Sequence, residues 1–124
     1  MSLSSISKPV LVVEDDPDIR ELLKVALEME GYTVETAQNG QEAWDFLNGS
    51  NPKPALMIID LMMPVMDGWK LLELKGLSSD FKDIPAMIVS ATSDKKIPIP
   101  DKNQVVLKKP FDLKVFLSAV ARFV

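Results

Sequence analysis

The sequence contains no cysteine and no histidine. The first absence excludes disulfides, thiolate catalysis and thiolate-bound zinc, and it suits a reducing compartment. The second excludes a Ser-His-Asp triad, imidazole acid–base chemistry and imidazole-held metals. Carboxylates, hydroxyls, lysines and backbone groups are left to carry any chemistry. The glycines, at 31, 40, 49, 68 and 76, form neither a G-x-G-x-x-G turn nor a Walker loop. Basic charge is also short: 14 Lys and Arg against 18 Asp and Glu leave a net charge of −4, which speaks against direct nucleic acid binding because phosphate backbones are repelled. No apolar run approaches the roughly 20 residues that span a bilayer. Residues 1–7 lack the apolar stretch of a signal peptide, so a cytoplasmic chain with no membrane partner is expected.

What is present fits one compact domain, since 124 residues with 47% hydrophobic and 26% charged composition can bury a core. Residues 1–7, "MSLSSIS", are small and polar and read as a flexible leader, with the domain occupying residues 8–124. Val10–Val13 is a continuous apolar run that reads as a strand buried on both faces. Pro17 opens a helix whose apolar positions Ile19, Leu22, Leu23, Ala26 and Leu27 follow helical spacing, and Gly31 closes it. Thr33–Ala37 is a second strand, and Gln41–Leu47 a second helix. "ALMIID" is a third strand ending on Asp60. Asp67 caps a helix carrying Leu71, Leu72 and Lys75 that stops near Gly76. "AMIVS" and "QVVLK" are the fourth and fifth strands. Asp112 caps a last helix that presents Leu113, Phe116, Leu117, Val120 and Val124 on one face.

Apolar strands alternating with amphipathic helices predict a parallel sheet covered on both sides, a doubly wound α/β three-layer sandwich. One segment departs from the alternation. "SATSDKKIPIPDKN" stands where a fourth crossover helix is due, yet it contains Pro98 and Pro100. Proline costs about 3 kcal/mol inside a helix, so this crossover helix is predicted to be short or missing.

In open parallel sheets the binding crevice lies beyond the carboxyl ends of the strands. Glu14 and Asp15 end the first strand, Asp60 the third, Ser90 the fourth, and Lys108 or Lys109 the fifth. Carboxylates about 5 Å apart repel by roughly 3 kcal/mol at an effective dielectric of about 20, which favours a cation among them. Oxygen ligands select a hard divalent ion, and Mg²⁺ suits a few carboxylates with retained waters. Asp16, immediately before Pro17, is placed to cap the helix instead. The alternative reading of these acids is a solvated strand-end loop with a cap. Asp60, reached through five apolar residues, is a candidate nucleophile toward phosphorus. Lys109, held before Pro110, can neutralise a transferred phosphoryl group, and Ser90 can donate a hydrogen bond to it.

"LVVEDD" followed by Arg20, "MIIDLMMPVMDGW", "MIVSA" and "LKKPF" occur in that order, and with them the chain resembles the receiver domain of two-component response regulators. The resemblance runs from about Lys8 to the end and implies a CheY-like, flavodoxin-like sheet of order 2-1-3-4-5. It implies Asp60 as phosphoacceptor, Asp15 as a direct Mg²⁺ ligand and Glu14 as a ligand acting partly through water. It implies the backbone carbonyl of Met62 as a further metal ligand. Ser90 matches the switch hydroxyl and Lys109 the phosphoryl-contacting lysine. The implied partners are a sensor histidine kinase or histidine phosphotransfer protein, which supplies the histidine this chain lacks, and a downstream protein target. Such a domain is a phosphoacceptor rather than a turnover enzyme. Val106 departs from the pattern, because an aromatic residue usually stands there in the family's switch.

Val106 and the proline-broken segment leave open a second reading, a receiver-like interaction module that no longer switches. A third, an Asp-nucleophile phosphatase of the haloacid dehalogenase kind, wants an Asp two residues after its nucleophile, where Met62 stands. The methionines at 57, 62, 63 and 66 read as core and loop packing, since no softer ligand joins them.

Overall fold

The computed structural model describes residues 8–49, 52–91 and 104–124, with Ser90 described by its backbone alone. The expected leader at 1–7 and the proline-containing crossover lie outside the described residues. Five strands form one parallel sheet: β1 Val10–Val13, β2 Val34–Ala37, β3 Leu56–Asp60, β4 Ala86–Ser90 and β5 Gln104–Lys108. Their spatial order is β2-β1-β3-β4-β5. β1 pairs in register with β2 (Val13 opposite Ala37) and with β3 (Val13 opposite Ile59), and every one of its residues is buried. An unbroken apolar run is what two covered faces demand.

Alternate strand residues feed two cores. Leu11, Val13, Met57 and Ile59 face one side, where Ala43, Leu47, Leu71 and Phe81 cover them. Val10, Val12, Ile58 and Val89 face the other, against Leu23, Leu27, Phe116 and Val120. The covering helices are α2 Gly40–Asn48 and α3 Gly68–Leu77 on the first side, α1 Pro17–Met29 and α4 Leu113–Ala121 on the second. This is the doubly wound sandwich that the alternation of patterns predicted.

Each helix starts on a side-chain oxygen that satisfies a backbone N–H left free in the first turn. Asp16 accepts from Asp18 and Ile19, Asn39 from Glu42, Asp67 from Lys70, and Asp112 from Lys114. α1 ends as its glycine predicted: Gly31 takes φ 95°, its N–H reaches the Glu28 carbonyl, and the Tyr32 N–H reaches that of Leu27. That is the paired closure that a left-handed residue makes possible.

Several boundaries differ from the sequence reading. β2 begins at Val34 and β3 at Leu56, one residue late in each case, and α2 is one residue longer at each end. α3 runs through Gly76 to Leu77, because Ser78, not the glycine, ends it. α4 stops at Ala121, leaving Val124 exposed rather than on the buried face. Leu22 is also exposed, as the sheet contacts of α1 centre on Leu23, Ala26 and Leu27. Of the four methionines, Met57 and Met63 are buried, Met66 packs partly against the core and Met62 is exposed. Among the described residues, no helix is long and apolar enough to cross a membrane.

Candidate functional site

Strand ends place the acids. Glu14 follows β1, Asp60 closes β3, and both are buried, at 2% and 4% exposure, although each bears a carboxylate. Buried carboxylates require partners. The Lys109 ammonium stands just past β5, at 3.2 Å from Glu14 Oε1 and 3.8 Å from Asp60 Oδ2. Glu14 Oε2 accepts from the Asp16 N–H at 3.2 Å, and Asp60 Oδ1 from the Met62 N–H at 3.3 Å. Asp15 is exposed beside them, and one carboxylate oxygen from each of Glu14, Asp15 and Asp60 lies within 4.8 Å of the others. Asp16 turns away to cap α1, as expected from its place before Pro17.

One ammonium does not balance three carboxylates, and the electrostatics register the shortfall. Burial, with the neighbouring Asp60 charge second, pushes Glu14 up to about 7 against the opposing pull of Lys109. Burial also raises Asp60, only partly offset by Lys109. Hard oxygen donors converging on a point where negative charge is under-compensated fit a divalent cation such as Mg²⁺.

A raised carboxyl pKa favours the folded state while the group is protonated, and that contribution fades as pH climbs through the folded value. From about pH 6 to about pH 8, the metal-free protein is therefore expected to lose about 1 kcal/mol of stability through Glu14, whose folded pKa is about 7. Urea midpoints in EDTA measure this. The slope should flatten in Glu14→Gln and be suppressed by Mg²⁺ in the parent; an equal slope in Glu14→Gln would refute the assignment.

The segment after Asp60 is held close to its neighbours. Gly68 donates its N–H to the Leu61 carbonyl at 3.0 Å, and Gly40, at the start of α2, donates to the Met66 carbonyl at 2.8 Å. Between them Met66 N–H closes a three-residue turn on the Pro64 carbonyl at 2.8 Å. Its central residue, Val65, has φ 69°, a strained conformation for a β-branched side chain. The strain sits in the loop that follows the candidate nucleophile, where a fixed backbone is worth its cost.

Of the residues singled out from sequence, Glu14, Asp15, Asp60 and Lys109 come together, and the Met62 peptide lies against Asp60. Ser90 ends β4, the strand beside β3, with its backbone opposite Lys108 of β5. The Ser90 hydroxyl lies outside the described atoms. Val106 occupies β5 opposite Ile88. Lys75, placed on α3 with Leu71 and Leu72, is 3% exposed, and its ammonium donates to the Lys82 carbonyl at 3.1 Å. Sequence reasoning assigned no task to Arg20 beyond its place in a pattern, yet its guanidinium reaches the backbone of the acidic loop. A cation one helical turn past a run of three acids was the available signal.

A doubly wound parallel sheet that gathers an acidic pair, a buried aspartate and a lysine at its carboxyl edge puts the chain in the class of α/β domains with a carboxylate-rich site at the strand ends. The response regulator receiver domain family matches residues 10–121, and the chain belongs to that family. It is 39% identical over 120 residues to the response regulator GtcR of Aneurinibacillus migulanus, covering 94% of this chain and 46% of that protein. The chain thus spans less than half the length of the curated relatives it matches. Among solved structures it superposes on the signal receiver domain of a signal transduction histidine kinase from Syntrophus aciditrophicus with a TM-score of 0.81 and 32% identity, over 94% of this chain and 89% of that one. It also matches the response regulator TrrA of Thermotoga maritima, solved in complex with Mg²⁺-BeF, with a TM-score of 0.77 and 31% identity, over 95% of this chain and all of that one (100%).

Proposed function

We propose that this receiver domain accepts a phosphoryl group on Asp60 from a histidine kinase or histidine phosphotransfer protein, and that the modified state changes which downstream protein it binds. The observation that carries the reading is the single point at which Glu14, Asp15, Asp60 and Lys109 meet. An Asp60 oxygen attacks phosphorus in line as the bond from phosphorus to the donor imidazole breaks; the bonding pair stays on that nitrogen, and the imidazole, already protonated on its other nitrogen, departs neutral. Lys109, already between Glu14 and Asp60, offsets the charge added at Asp60. Mg²⁺, held by Asp15, Asp60, the Met62 carbonyl and, partly through water, Glu14, would supply the remaining positive charge to the phosphoryl oxygens. The Mg²⁺-BeF complex of TrrA supports that choice of ion. Ser90, at the end of the adjacent strand, donates a hydrogen bond to the same oxygens.

The donor histidine lies outside these 124 residues, none of which is a histidine. Next to Lys109, a recess of about 450 Å³ walled by Ile19, Leu22, Phe111 and Leu113 gives a phosphohistidine-bearing partner apolar surface beside the site. Val106 carries no ring, so a change of state must propagate without the usual aromatic rotation. Intact mass after incubation with acetyl phosphate tests the reading: one phosphoryl group is gained with Mg²⁺ and none with EDTA. No gain in Mg²⁺ would leave the interaction module without switching as the better account.

A further inference from the structure

We propose that Arg20 is a positioning residue for the metal site, fixing the peptides of Glu14 and Asp15 so that both carboxylates face Asp60; this rests on the Mg²⁺ reading given above. Arg20 lies in the first turn of α1, where its own N–H bonds to the Asp16 carbonyl at 2.9 Å. From there one guanidinium nitrogen donates to the Glu14 carbonyl at 2.8 Å and, more weakly, to that of Asp15 at 3.4 Å. The acidic loop is thereby held from two sides. The Glu14 carboxylate is held by Lys109 and the Asp16 N–H, and the Glu14 and Asp15 carbonyls are held by Arg20 on the α1 side. A carbonyl turned toward the helix cannot turn toward the carboxylates, where it would add to their repulsion.

Outer partners of this kind orient metal ligands, and losing one typically weakens metal binding tenfold or more.

The sign of the effect separates this role from a simple charge effect. A guanidinium beside a cation site repels the cation, so by field alone Arg20→Gln should bind Mg²⁺ more tightly. Positioning demands the reverse. Calorimetric titration of the metal-free protein with Mg²⁺ at fixed ionic strength is expected to give a Kd roughly tenfold weaker in Arg20→Gln. The metal-free amide resonances of Asp15 and Asp16 should shift while those of β2 stay in place. Arg20→Lys, which keeps the charge and can reach one carbonyl, is expected to fall between the two, with a Kd about threefold weaker than the parent's. An unchanged or tighter Kd in folded Arg20→Gln overturns the proposal while leaving the metal reading intact. Should Arg20→Gln not fold, Arg20→Lys decides, and an unchanged Kd overturns it. If the parent binds no Mg²⁺, the metal reading fails and takes this inference with it.

Discussion

Asp60→Asn is expected to abolish phosphoryl uptake from acetyl phosphate and, in the same sample, to make the metal-free protein more stable. The two outcomes have separate causes. Asparagine keeps the shape of the side chain but replaces the attacking carboxylate oxygen with an amide, which does not displace a leaving group from phosphorus. Stability changes because Asp60 is only 4% exposed and its pKa is raised, meaning that burial outweighs the help from Lys109. Its charge is also the second cause of the upward shift of Glu14. Neutralising residue 60 removes one of two buried like charges and leaves Lys109 to Glu14, relieving on the order of 2 kcal/mol above neutral pH. Urea midpoints in EDTA at about pH 8 measure the gain, and intact mass measures the loss of uptake. Residual uptake by the variant would move the nucleophile elsewhere. A destabilised variant would mean that the Lys109 contact, at 3.8 Å, outweighs the repulsion.

The class of fold and the convergence of Glu14, Asp60 and Lys109 were readable because both follow from where the apolar runs begin and end. Unbroken apolar runs such as Val10–Val13 mean strands covered on both faces, and residues that end those strands share one edge of a parallel sheet by topology alone. Glu14, Asp60 and Lys109 could thus be brought together before any distance was known. Exact ends and individual burial could not be read so directly. Leu22 and Val124 fit the helical period, yet both are exposed, because periodicity says which residues share a stripe and not how wide a stripe the neighbouring layer covers. Lys75 shows the converse: a charged residue on the buried stripe is accommodated because its ammonium finds the Lys82 carbonyl, an acceptor seven positions away. The reach of Arg20 back to the acidic loop and the strained turn at Val65 both depend on how the β1–α1 and β3–α3 connections curve. That curvature is set by packing, on which composition and spacing are silent.

Gly68→Ala is expected to destabilise the fold by about 2–4 kcal/mol, although alanine is the better helix former. Gly68 is the first residue of α3, and a Cβ built there would lie 2.5 Å from the Asp60 carbonyl oxygen and 2.7 Å from the Leu61 Cα. Both are backbone atoms of the segment leaving β3, so no rotamer change can make room. Either α3 moves out, breaking the Gly68 N–H bond to Leu61 at 3.0 Å, or the end of β3 shifts and carries Asp60 away from Lys109. Gly76 in the same helix supplies the control, because nothing lies within 4 Å of a Cβ placed there. Gly76→Ala gains helix propensity without a clash and should stabilise by about 0.5–1 kcal/mol. Opposite signs for one substitution at two positions of one helix separate close packing from intrinsic preference. The shift at Asp60 should also appear as weaker Mg²⁺ binding in Gly68→Ala and unchanged binding in Gly76→Ala. If both variants are more stable than the parent, the close approach of α3 to the end of β3 is not a constraint on this site.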